Sequence, residues 1–86
     1  MTDAEMEEVK RYKEIVRQSN EADIERINGL YDLWCKVGKN DQMFRSEVIV
    51  SLAQEQMVIA ENQKEQVLDQ IVRLVKAKEL YHSVSM

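Results

Sequence analysis

One histidine, one cysteine and a scatter of carboxylates are the side chains of this 86-residue sequence that could take part in chemistry. Acid, base or metal work by His82 would need partners at converging spacing, and none is so placed. Cys35 stands alone, so neither an internal disulfide nor a cysteine-rich zinc site can form. Beside Trp34 in an apolar stretch, it reads as a small, semi-buried packing residue. The carboxylates Glu5, Glu7, Glu8, Glu14, Glu21, Glu25 and Glu61 include no Glu-x-x-His pair, which removes the di-iron bundle signature. Glu7 and Arg11 form an ordinary i,i+4 pair on a solvated face. A Gly-rich phosphate loop and a nucleophile elbow are both missing. The sequence therefore reads as a non-enzyme without cofactor or metal.

What the chain must do instead is set by its breakers. There is no proline, and Gly29 and Gly38 are the only glycines. So few punctuation residues, with no hairpin-turn dipeptide between β-branched runs, point to an all-α chain of very long helices. Thr2 and Glu5 make a capping box. Apolar residues then recur at Met6, Val9, Val16, Ile27, Leu30, Trp34 and Val37, with polar interruptions at Lys13, Asn20 and Asp23. The first helix is expected from about residue 3 to 37, and at 1.5 Å per residue would be about 50 Å long. Gly38 serves as a left-handed C-cap, and the turn at 38–41 ends where Asn40 or Asp41 caps the second helix.

That second helix is expected from about 42 to 81, with His82 to Met86 frayed. Val50, Ala53, Met57, Ala60, Lys64, Val67, Ile71, Leu74, Lys78 and Tyr81 hold a three-four register along it. A four-residue turn makes the two helices antiparallel neighbours. Pairing outward from the turn puts Trp34 near Phe44 and Arg45, Ile27 near Ala53 and Val9 near Ile71. The fold class is an all-α, antiparallel helical hairpin forming a single module over residues 1–86.

One hairpin cannot hide all of its apolar surface. Val48, Leu52 and Ile59 point away from the stripe of Val50, Ala53, Met57 and Ala60, and each would forgo roughly 1.5–3 kcal/mol if left in water. A helix that is apolar over most of its circumference is buried on several sides. Two hairpins are thus expected to associate as a homodimeric four-helix bundle through Leu30, Leu33, Trp34, Val37, Val48, Ile49, Leu52, Met57 and Ile59. Leu68, Val72 and Val75 also spill off the stripe and call for cover by the second protomer or by chain beyond Met86. Between these apolar ends, Arg17 to Asp23 and Glu61 to Gln66 are polar nearly all round and form a weaker middle.

The charges narrow the partners. A net charge of −4, with Glu, Lys and Arg intermingled, supplies no cationic face for nucleic acid or for a membrane surface. No apolar run approaches the ~20 residues of a bilayer span, and the acidic start is not a signal peptide. The expected compartment is cytoplasmic.

The unit Leu30-x-x-Leu33-Trp34-x-x-Val37-Gly38, a short gap and Arg45-x-x-Val48 resembles the N-terminal region of the antiparallel microtubule crosslinkers, the family of the protein regulator of cytokinesis with its yeast and plant relatives. The resemblance covers roughly Ile27 to Lys76, and its specific part is about twenty residues. It implies a homodimerisation region at the centre of a microtubule-bundling rod, localised to the cytoskeleton at the spindle midzone, with a docking surface for a midzone kinesin or a centralspindlin-type regulator. Family members are several times longer, so this chain is read as a piece of a longer protein. Microtubules would be reached only through regions that this sequence does not contain. The alternative is a free-standing small helical regulator or chaperone-like protein that offers the Val48–Ile59 face to a partner helix.

Overall fold

The computed structural model describes residues 1–85, and every regular element among them is helical: α1 (Asp3–Gln18), α2 (Glu21–Lys36), α3 (Asp41–Gln54) and α4 (Glu61–Ser85). The all-α class holds, but four helices stand in one chain where two long ones were expected. Each expected long helix is broken near its polar middle, and the molecule measures 36 × 27 × 24 Å, shorter than an unbroken 35-residue helix.

The first break is made by Ser19 and Asn20. The Ser19 hydroxyl donates to the Ile15 carbonyl at 2.6 Å, drawing off an acceptor at the end of α1. The Asn20 side-chain oxygen accepts from the Asp23 amide at 2.8 Å, so a new helix begins at once. Serine and asparagine compete with the backbone in this way, which suits them to caps more than to helix interiors. The second break follows Gln54. Gln56 takes a left-handed conformation with φ of 57°. The Met57 amide reaches back to the Leu52 carbonyl at 3.0 Å, closing a Schellman turn without the usual glycine. Met57 to Ala60 then run outside any helix.

Other local expectations are met. Thr2 and Glu5 form the capping box. Gly38 is left-handed with φ of 66°, and the Lys39 amide donates to the Trp34 carbonyl at 2.9 Å. Asn40, between the two candidates, is the residue that caps α3. At the far end α4 continues to Ser85, past the expected fraying point at Tyr81, while Met86 lies outside the described residues.

Helix α4 is the hub, packing against α1, α2 and α3. The main core joins Trp34, Phe44, Val48, Leu68, Val72 and Val75. Trp34 and Phe44 meet edge to face at 5.2 Å, as the turn pairing predicts. Ile27 does not reach Ala53; it packs with Tyr12 and Ala77 in a second cluster, because folding α1 and α2 apart at Ser19 brings both onto the C-terminal half of α4. Leu68, Val72 and Val75, which called for an outside partner, are covered from within the same chain.

Candidate interaction surface

Phe44 and Val48 on α3 turn into the core, whereas Ile49 and Leu52 are only half buried and Val50 and Met43 lie exposed. No single face of α3 is polar, so burying one stripe against α4 leaves apolar side chains on its other sides. The chain then leaves α3 through Met57, Val58 and Ile59 before α4 begins. Val58 is 97% exposed and Met57 47%, and together they form an apolar elbow.

Two grooves meet there. One, of about 320 Å³, runs between α3 and the start of α4 and is lined by Ile49, Leu52, Val58, Ile59 and Val67, with Lys64 on its edge. The other, of about 360 Å³, lies between α2 and α3 and is lined by Leu30, Leu33, Leu52 and Ile71, with Arg26 and Glu55 on its edges. Leu52 and Met57 belong to both and form the ridge between them.

The surface expected from the sequence is thus divided. Leu30, Leu33, Ile49, Leu52, Met57 and Ile59 line the grooves. Trp34 and Val48, at 3% and 1% exposure, are instead central to the core of the closed monomer. Val37 packs half buried against that core. The reason for the correction is the second break, which lets α4 fold back and cover the side of α3 that the hairpin would have left open. Val58 and Val67 were not singled out as site residues. The signal for Val58 was present in the uninterrupted run Met57-Val58-Ile59-Ala60, in which consecutive apolar residues fit no one helix face.

Charged groups elsewhere on the molecule mostly satisfy one another. Arg45 pairs with Asp41 and reaches Asp69 at 2.7 Å, tying α3 to α4. Those two carboxylates, Asp41 first, hold its guanidinium pKa above the ordinary value. Arg73 grips Glu8 across α4 and α1, its Nε at 2.9 and 3.0 Å from the two carboxylate oxygens. This hydrogen bonding holds the Glu8 carboxyl below the usual glutamate range against the opposing effect of burial. Glu79 accepts from the Trp34 indole and from Lys39, each at 3.2 Å. With cation and anion alternating, the cleft between α1, α3 and α4 offers no net charge to a ligand.

The side chains weighed for chemistry lie elsewhere. Cys35 is exposed on α2, not semi-buried as expected, since its neighbour Trp34 takes the inward position. The His82 ring stacks on Tyr31 at 5.7 Å between centroids and meets Tyr81 at 5.9 Å. Burial, and after it the contact with Cys35, pushes the Tyr31 phenol pKa up. Among the described residues no group of three or more His, Cys, Asp or Glu could hold a metal ion, and no helix is long and apolar enough to cross a membrane. What the arrangement can do is bind apolar surface. Compared with protein-family models, with curated proteins and with solved structures, the chain matches none.

Proposed function

We propose that this chain is a homodimerisation module that pairs with a second copy through the apolar elbow between α3 and α4. The observation that carries this reading is the elbow itself, where Val58 and Met57 stand in solvent beside the half-buried Leu52 and Ile59. A second copy suits it because the rim carries both signs. Arg26 and Glu55 line one groove, and Lys64, paired with Glu61 at 3.5 Å, lines the other, so the surface presents no single-sign charge to repel a facing copy. Burying a fully exposed valine contributes about 1.5 kcal/mol or more. A contact this small, after the cost of association, makes a weak dimer. Weak pairing is useful where each copy carries a binding arm, because joining two arms raises the effective concentration of the second.

From the resemblance we extend the proposal to a microtubule-bundling protein of the spindle midzone, in which the dimer sets the relative direction of two microtubule-binding arms and docks midzone partners. The support for that extension is the sequence pattern alone. Trp34, Gly38, Arg45 and Val48, which carry the pattern, are each engaged in closing this fold. The reading involves binding and no catalysis.

Light scattering over a range of concentrations tests the proposal. The mass should rise toward that of two chains at high micromolar concentration, and Leu52→Asp or Ile59→Asp should return it to one chain that remains folded. A wild-type chain that stays monomeric throughout refutes dimerisation and leaves the elbow to the alternative use, capture of a partner helix.

A further inference from the structure

Three of the four helices begin on a side-chain cap: Thr2 for α1, Asn20 for α2 and Asn40 for α3. Helix α4 follows Ala60, which has no acceptor to offer its first amides. The segment before it is equally unlike a built loop. Glu55 to Ala60 contain neither glycine nor proline, and glutamate, glutamine, methionine and alanine are good helix formers. Gln56 nonetheless adopts a left-handed conformation, which a side-chain-bearing residue takes only at a cost. Among the described residues no backbone acceptor takes the amides of Val58, Ile59 or Ala60. In a continuous helix the carbonyls of Gln54, Glu55 and Gln56 would accept them. The three-four register also crosses the segment unbroken, from Ala53 through Met57 and Ala60 to Lys64.

Local preference and closed shape therefore disagree across residues 55–60. We propose that residues 55–60 are a hinge, and that two copies associate by exchanging α4. On opening, α3 and α4 fuse into one helix from Asp41 to Ser85, too straight for α4 to cover its own Phe44 and Val48. The α4 of a second copy fills the vacated crevice, and the exchange is reciprocal. The contacts of α4 with α1, α2 and α3 are then remade between chains, while Trp34 and Phe44 still meet within one chain, so the balance between forms is set by the hinge and by concentration. This inference rests on the reading that the chain dimerises and gives the dimer a route other than rigid pairing at the elbow.

The test uses two substitutions with opposite demands on the two forms. In Glu61→Pro, proline occupies the first turn of α4, where the closed form leaves the amide without a helical partner, but it falls in the interior of the fused helix. With two hinges per dimer, its dissociation constant should rise by at least about a thousandfold while the monomer keeps its thermal midpoint. Gln56→Gly favours the left-handed turn and disfavours helix, and should weaken the dimer about a hundredfold, tenfold for each hinge. It also serves if the proline variant folds poorly.

Separated wild-type monomer and dimer should re-equilibrate slowly, because exchange requires the core to open, and the dimer should show the higher helical signal per residue. A dimer that keeps wild-type affinity in Glu61→Pro or Gln56→Gly overturns the hinge and leaves rigid pairing at the elbow standing. A wild-type chain that is monomeric at every concentration overturns both.

Discussion

Val75 and Val58 carry the same side chain in opposite settings, and truncating each to alanine tests the folding of α4 onto the rest of the chain. Val75 is 0% exposed and lies with Trp34 and Phe44 in the main core, whereas Val58 is 97% exposed. In a straight hairpin Val75 would face the first residues of the chain, far from Trp34. Val75→Ala removes two buried carbons at about 0.8 kcal/mol each. The close-packed neighbours relax only partly, and the cavity term brings the loss to about 2–3 kcal/mol. For a domain of this size, whose whole stability is on the order of 4–13 kcal/mol, that is a large share. Urea unfolding, followed by Trp34 fluorescence and by circular dichroism at low protein concentration, reads it directly. With a slope of about 1–3 kcal/mol per molar, the midpoint should fall by about 0.7–3 M. Val58→Ala should stay within about 0.5 kcal/mol of wild type. Equal effects at the two positions, or a loss below about 0.5 kcal/mol at Val75, would refute the packing of α4 against α2 and α3.

The breaks and charge pairs give further expected outcomes. Asn20→Ala removes the cap of α2 and should cost about 1 kcal/mol, seen as a fall of about 4–8 °C in thermal midpoint. Gly38→Ala places a side chain where φ is 66° but where a Cβ meets nothing within 4 Å. Its cost should therefore be the conformational one alone, about 1–2 kcal/mol by urea titration. The Glu8 carboxyl is held below its unfolded-state pKa by Arg73, so its contribution is complete above the ordinary glutamate range and is lost as pH falls through the lower folded value. For a solvent-screened pair this amounts to about 0.5–1 kcal/mol. The stability gap between wild type and Glu8→Gln, measured by thermal melts from neutral to acid pH, should close over that window.

How much of this was legible depended on the range of the signal. The capping box at Thr2, the glycine turn at Gly38 and the Trp34–Phe44 contact are local or lie beside a marked turn, and residue types declare them. The Ser19–Asn20 break was written in the sequence too, as a serine followed by a capping asparagine with Asp23 three residues on. It was masked by the apolar spacing on either side, which runs through it as an interruption. The Gln54–Ala60 break carries no such mark. There the pull of α4 onto three helices at once overrides local helix preference, and no window of sequence reports a pull of that kind. The interface followed from this. Side chains in surplus on a straight α3 were assigned to a partner, and α4 claims Val48 for the core while leaving Leu52 and Ile59 at the elbow.

The hub position of α4 also governs how the chain reaches its fold. Glu8 and Arg73, which clamp α1 to α4, are 65 residues apart in sequence, and Asn28 and Lys78 are 50 apart. Helical domains fold fast when their contacts are between neighbours along the chain. Here α1 packs chiefly on the last helix, and the cluster of Tyr12 and Ile27 that joins it to α2 is completed only by Ala77 of α4. Collapse must wait for long loops to close, and folding should be slower than the helical content alone suggests. During that wait α4 is free to meet the first three helices of any chain within reach, its own or a neighbour's.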